Sequence, residues 1–277
     1  MKKKFPIIIF IIFIIIPVSL FIYTKYIERE LLTVKKISLD FNDKGSEKLR
    51  VVQFTDTQLG EFYTLENLEK AVEKINKLNP DIVVFTGDLI DNAAKYKDID
   101  KVSKVLSKIN SKYGKYAIYG NHDYGGGAVR YYSRIMNKSG FEVLKNDSHL
   151  IKVKGKNIRI LGADDGLMGS FNSRLTMSKI NKDDINILLL HEPDLSEKFL
   201  NYKVDLILSG HSHGGQIDLP FYGPVVKNVL SEKYTKGLYD LGNKFNTKLY
   251  VSSGLGNTKL PYRFNNVPQV VCFDLTI

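Results

Sequence analysis

Cysteine occurs once in the 277 residues, at Cys272, which excludes an intramolecular disulfide and a zinc cage built from thiolates. That residue lies in the apolar run VVCFD, where the expected role is core packing. Histidine is scarce too, with five in the chain. No solenoid-length repeat is visible, and no low-complexity tract lies beyond the N-terminal segment. Hydrophobic residues at 43% and charged residues at 25% exclude a disordered chain and describe an ordinary globular protein.

Charge is absent from one long stretch. FPIIIFIIFIIIPVSLFIY, residues 5–23, carries none over 19 residues, a helical length of roughly 28 Å that matches the hydrocarbon thickness of a bilayer. A cleaved signal peptide has a shorter apolar core, about 7–15 residues, and a small-residue cleavage site. SLFIYTKYIE offers no A-x-A pattern, so an uncleaved transmembrane helix is expected. Pro6 and Pro17 are compatible with it, because proline is tolerated in membrane helices. Lys2, Lys3 and Lys4 precede the span, whereas Lys25, Glu28, Arg29 and Glu30 after it sum to zero. The positive-inside tendency predicts a cytoplasmic N-terminus and an extracytoplasmic remainder. Residues 1–34 hold a net +3 and 35–277 the other +7 of the total +10. A basic ectodomain favours anionic partners such as phospholipid head groups, phosphate-rich wall polymers or nucleic acid.

Residues 1–34 thus read as anchor and linker, and 35–277 as one folded domain. KISLDF (36–41) alternates as a strand, and NDKGSEK (42–48) follows as a turn. LRVVQFT (49–55), DIVVFT (81–86) and KYAIY (115–119) are apolar runs of buried strands. Segments 64–79, 98–110 and 128–140 have helical periodicity, and Pro80, Gly114 and Gly140 mark their ends. HLIKVK, NIRILG, NILLL, VDLILSG, KLYVSS and QVVCFDLTI are further strands. The order predicts an α/β or α+β sandwich with helices outside the sheets.

In LSGHSHGGQ (208–216), His211 and His213 stand two apart, so an extended backbone would project both to one face. That stretch alone fits a metal or phosphate site and a plain surface turn equally. The other strand ends decide. LRVVQFT runs into Asp56-Thr57-Gln58, DIVVFT into Gly87-Asp88 and then Asp91, and KYAIY into Gly120-Asn121-His122-Asp123. INILLL runs into His191, and VDLILS into His211 and His213. Ligands of open α/β sheets bind at the carboxyl ends of strands. Four of the five histidines fall at such ends; His149 alone does not, and is expected to be structural.

DTQ, GDLID, GNHD, HEP and GHSH, in that order, resemble the motifs of the calcineurin-like metallophosphoesterase superfamily. The resemblance runs from about residue 36 to the end. GHSHGGQIDLPFYGP, YTKGLYD, YVSSGLGN and PYRFNNVPQ look like its membrane-associated bacterial phosphodiesterase branch. The resemblance implies two mixed β-sheets packed face to face and flanked by helices. It also implies two divalent cations, with Asp88 shared; Asp56, Gln58 and His213 would hold the first, and Asn121, His191 and His211 the second. Mixed oxygen and nitrogen ligands suit Mn, Fe or Zn better than Ca or Mg, and Mn is the expected metal, with Fe or Zn as alternatives. Gln58 departs from the histidine usual in the family, which implies a weaker first site.

Cations about 3.5–4 Å apart would activate a shared hydroxide for in-line attack on phosphorus. His122 would serve the departing oxygen, with Asp123 orienting it. Asp91 would brace the Asp88 loop, and Arg263 could meet a substrate phosphate. The expected activity is a phosphodiesterase on an envelope or lipid-linked phosphoester, with the membrane reached through the N-terminal helix. A pyrophosphatase of nucleotide-linked glycolipids is a close variant, and a catalytically weak binding scaffold is a different class. A nuclease is disfavoured, because no basic run lies beside the motifs.

Overall fold

The computed structural model describes residues 4–41 and 47–277. Lys2 and Lys3, and most of the turn expected at 42–48, lie outside the described residues.

Helix α1 (Lys4–Ile22) continues through one π turn and one 3-10 turn as far as Glu30. From Ile9 to Glu30 this gives 22 residues, the one stretch among the described residues long and apolar enough to cross a membrane. None of its hydropathic window is buried, so it is no core helix. The linker expected after Tyr23 is far shorter than the sequence suggests. Helical turns occupy 23–30, and only Leu31 and Leu32 separate them from β1 (Thr33–Asp40).

The first sheet holds β1, β2 (Lys48–Phe54), β3 (Ile82–Phe85), β4 (Lys115–Ala117), β5 (Phe141–Val143) and the C-terminal β14 (Gln269–Thr276), in the order β1-β14-β2-β3-β4-β5. The second holds β6 (Asp147–Val153), β7 (Lys156–Gly162), β8 (Ile185–Leu189), β9 (Leu206–Ser209), β12 (Gly237–Asp240) and β13 (Lys248–Val251), in the order β12-β13-β9-β8-β7-β6. A short hairpin, β10 (Asp218–Leu219) and β11 (Gly223–Pro224), stands apart from both. Both large sheets are mixed: β2, β3, β4 and β5 run parallel, as do β7, β8, β9 and β13, while β2–β14, β6–β7 and β12–β13 are antiparallel.

Alternation along the strands builds the layers. Val51, Val84 and Phe273 of the first sheet meet Ile160, Ile187 and Leu208 of the second in a core between the sheets. Their neighbours Val52, Phe85 and Cys272 point the other way, under helices α2 (Leu65–Asn76), α3 (Ile99–Leu106) and α5 (Val129–Lys138). Leu161, Leu188 and Leu249 pack on the outer face of the second sheet against Phe199 and Tyr234. Strands covered on both faces must be apolar at every position, which is why these runs read as continuous rather than alternating. Helix α2 begins where Thr64 and Asn67 form a reciprocal cap and buries Leu68, Ala71, Val72 and Ile75. His149 lies outside the site, paired with Glu142 at 2.8 Å.

Candidate metal centre

Parallel strands from the two sheets deliver their carboxyl ends to one edge of the sandwich. The turn after β2 carries Asp56 and Gln58, and the turn after β3 carries Asp88. Asn121 and His122 open the short helix α4 (Asn121–Gly125) after β4. His191 follows β8, and His211 and His213 follow β9. Many of these residues sit at positive φ, because the chain turns sharply where it leaves each strand: Asp56 at 51°, Gln58 at 47°, Asp88 at 62°, His211 at 67° and His213 at 48°. Backbone approach is close as well. A Cβ on Gly120 would stand 2.3 Å from Asp88 Oδ1, and one on Gly210 would stand 2.2 Å from Asp56 Oδ2.

His211 and His213 are not presented by an extended strand. Both occupy the left-handed region of a tight turn, and they diverge to serve two sides of the centre. His211 Nδ1 lies 2.9 Å from Asn121 Oδ1, whereas His213 Nε2 lies 3.6 Å from Asp56 Oδ1. Between them sits Asp88. Its Oδ1 accepts the His122 amide at 2.8 Å, and its Oδ2 accepts Gln58 Nε2 at 2.7 Å. His191 Nε2 is 3.4 Å from the same Oδ2.

The three buried histidines share one arrangement. Each points one ring nitrogen at a backbone carbonyl: His191 Nδ1 at Thr86 O (2.6 Å), His211 Nε2 at Val229 O (2.8 Å), His213 Nδ1 at Gly256 O (3.2 Å). A proton on that nitrogen leaves the other as a lone-pair donor facing the cluster, the orientation that metal-ligating histidines adopt. Gln58 Oε1 and His191 Nε2 are buried there without a hydrogen-bond partner. Carboxylates from Asp56 and Asp88 bring ligand atoms within 4.8 Å of His191, and His191, His211 and Glu192 form an overlapping group. Buried lone pairs without donors, set among neighbouring carboxylates, fit divalent cations.

The electrostatics point the same way. Burial pushes the Asp56 pKa up to about 7, with the Asp88 charge adding to it. Asp88 is also buried, but His191, His122 and His211 outweigh that penalty and hold it below the usual carboxylate range. Burial disfavours the His191 cation, yet Asp88, Asp56 and Glu192 overcome it and raise its pKa well above normal. His211 and His213 are driven down by burial, to about 4 and about 3, and are neutral lone-pair donors at pH 7. The cluster thus calls for positive charge that its own side chains supply only in part.

Two roles expected from the sequence are exchanged. Asp123 does not orient His122; its buried carboxylate accepts the backbone amides of Gly120, Asp88 and Leu89 at 2.9–3.0 Å, bracing the Asp88 turn. Asp91 is the partner of His122: its Oδ1 and main-chain O lie 3.2 and 3.3 Å from Nδ1. Arg263 is also elsewhere. It is 0% exposed, and its guanidinium donates to Asn257 Oδ1, Asn266 O, Ser253 O and Gly256 O. Buried among these acceptors, it does not reach out to a substrate phosphate; instead Arg263 ties down the loop whose Gly256 carbonyl holds His213.

A cavity of about 170 Å³ opens onto the centre, lined by Asp88, Asn121, His122, His211 and His213, with Val229 and Lys259 at its rim. Sequence reasoning misses Val229, because its contribution to His211 is a carbonyl, which any residue type carries.

The sequence profile of calcineurin-like phosphoesterases matches residues 49–215, the stretch that supplies every side chain of the cluster. The chain belongs to that family. The phosphoesterase is 40% identical to the uncharacterized metallophosphoesterase YkuE of Bacillus subtilis strain 168, covering 91% of this chain and 88% of that one. It is 26% identical to the UDP-2,3-diacylglucosamine pyrophosphatase LpxG of Chlamydia trachomatis, over 92% of each. The crystal structure of TT1561 of Thermus thermophilus shares the fold, with a TM-score of 0.52 at 15% identity, over 76% of this chain and 91% of that one. Membership makes the chain a metal-dependent phosphoesterase of a dinuclear family.

Proposed function

We propose that this phosphoesterase is a membrane-anchored phosphodiesterase acting on the outer side of the membrane, on lipid-linked or other envelope phosphoesters. Residues 1–34 form the anchor and its linker, and 35–277 the catalytic domain. Asp88 would be shared by two cations, one held also by Asp56, Gln58 and His213, the other by Asn121, His191 and His211; Mn is the favoured metal. The observation that carries this reading is the set of three histidines pinned by backbone carbonyls, each with its free nitrogen turned toward Asp56 or Asp88 or their neighbours.

Bound cations supply Lewis acidity, polarising a phosphoryl oxygen and acidifying a water. His122 handles the leaving group. Burial lowers its basicity, but the Asp91 hydrogen bond and the Asp88 charge outweigh this and raise its pKa to about 9. The hydrogen bond to Asp91 favours the protonated imidazole, which can donate its proton to the departing oxygen. The small cavity admits a phosphoryl group and leaves the bulk of a lipid or polymer substrate outside.

His122→Ala is expected to lower kcat about 10²-fold while bound metal stays constant, measured on bis-p-nitrophenyl phosphate with Mn²⁺. Parallel loss of metal and activity would reassign His122 to the cluster's assembly, and no turnover by the unchanged chain with any metal would favour a binding scaffold. Gln58→His should retain metal on the order of tenfold more tightly through dialysis against chelator, since imidazole replaces an amide oxygen. Equal retention by both proteins would remove Gln58 from the ligand set.

A second reading rests on the likeness to LpxG, whose name is that of a pyrophosphatase of a nucleotide-linked glycolipid. Incubating the protein with extracted envelope lipids and wall polymers, then identifying released phosphates by mass spectrometry, separates the two. A nucleoside monophosphate among the products selects the pyrophosphatase.

A further inference from the structure

Residues 217–229 form the most apolar exposed surface of the domain. Phe221 is fully exposed and Tyr222 is 77% exposed at the tip of the β10–β11 hairpin, with Val225, Val229 and the nearby Leu260 beside them. Water-exposed side chains of this size in one neighbourhood mark an interaction surface. Phe221 holds φ at 67°, a conformation that glycine adopts freely and a bulky aromatic does not. An aromatic kept at the tip of a loop against its backbone preference is there for its side chain.

Where this hairpin sits identifies its partner. Segment 262–266 is held on one side by the end of the apolar helix: Arg263 N donates to Thr24 O at 3.0 Å, Asn266 N donates to Glu28 Oε1 at 2.5 Å, and the Tyr262 ring lies 5.9 Å from that of Phe21. On its other side it pairs with the hairpin, through a bridge between Ile217 and Phe264 and the bond from Asp218 N to Phe264 O at 2.9 Å. The hairpin and the end of α1 are thus fastened to the same short segment. Exposed Lys227 and Lys259 flank the apolar surface, a charge pattern that suits anionic head groups.

We propose that the β10–β11 hairpin is a second membrane contact, inserting Phe221 and Tyr222 into the interface of the bilayer crossed by α1. This rests on reading α1 as a membrane anchor. The helix end already fixes segment 262–266; the hairpin adds a second contact, and the two together hold the cavity rim, Val229 and Lys259, against the head groups. A phosphoester head group then reaches His122 while its lipid tails remain in the bilayer.

The test uses the full chain reconstituted in vesicles of equal parts phosphatidylcholine and phosphatidylglycerol. Tyr222→Cys carries an environment-sensitive fluorophore, and Cys272, buried in the core, is left in place. Shallow nitroxide-labelled lipid should quench this label about twofold or more, whereas the same label at Lys154→Cys, in the β6–β7 turn, should be unaffected. Adding Phe221→Gly should weaken the quenching while turnover of soluble bis-p-nitrophenyl phosphate stays unchanged. Chains that float with the vesicles but show no quenching at position 222 overturn the second contact and leave the anchor standing. Chains that fail to float overturn the anchor, and the hairpin proposal with it.

Discussion

Replacing Asp88 by asparagine should lower kcat/KM about 10³-fold or more and release metal, with the fold retained. Asp88 meets residues of both proposed ligand sets: its Oδ2 lies 2.7 Å from Gln58 Nε2 and 3.4 Å from His191 Nε2, while its Oδ1 accepts the His122 amide. In the proposed centre several kcal/mol of transition-state stabilisation would depend on cations that this charge would hold in place, and each 1.36 kcal/mol is about a factor of ten. Asparagine keeps the shape, but it turns an amide NH₂ toward groups that are themselves donors. Metal content by mass spectrometry, turnover of bis-p-nitrophenyl phosphate and thermal unfolding together check this. A variant that keeps its metal and most of its activity would remove Asp88 from the centre and with it the proposed ligand set.

Arg263→Ala should cost about 3–5 kcal/mol of stability, a large part of the roughly 5–15 kcal/mol typical of a folded domain. Burial lowers the Arg263 pKa to about 10, partly offset by Asp56 and Glu28, so the guanidinium stays charged at neutral pH. Its removal strands Ser253 O, Asn266 O and the Asn257 amide oxygen, takes one of two donors from Gly256 O, and leaves a void where a large, fully buried side chain stood. Arg263→Lys should lose less, because an ammonium keeps the charge but cannot span all four acceptors. Thermal unfolding of both variants reads the effect. A raised KM with an unchanged melting temperature would instead put Arg263 at the substrate.

The centre was legible in the sequence because its side chains have both a type and a place. Asp56, Asp88, Asn121, His191, His211 and His213 each follow an apolar strand, and parallel strands share one carboxyl edge, so position along the chain translates directly into position in space. What lay beyond reading were choices among neighbours. Asp91 and Asp123 are both acidic, both near the motif and both plausible partners of His122; only the path of the β3 and β4 turns decides which carboxylate meets backbone amides and which meets imidazole. An arginine in PYRFNN reads as a surface phosphate ligand, because burial of a guanidinium requires four acceptors from separate positions that no local pattern announces.

Composition and periodicity by themselves determined the apolar N-terminal helix, the layered α/β architecture and the strand ends that carry acidic, amide and imidazole side chains, since each depends on local spacing and on the apolar cover that strands require. Only the tertiary structure decided how the helix end meets segment 262–266, which carbonyls pin each imidazole, and that the β10–β11 hairpin joins the same segment as the helix end. Those contacts join residues from opposite ends of the sequence, such as Phe21 and Tyr262, and they are set by the packing of whole elements rather than by any preference of the residues involved.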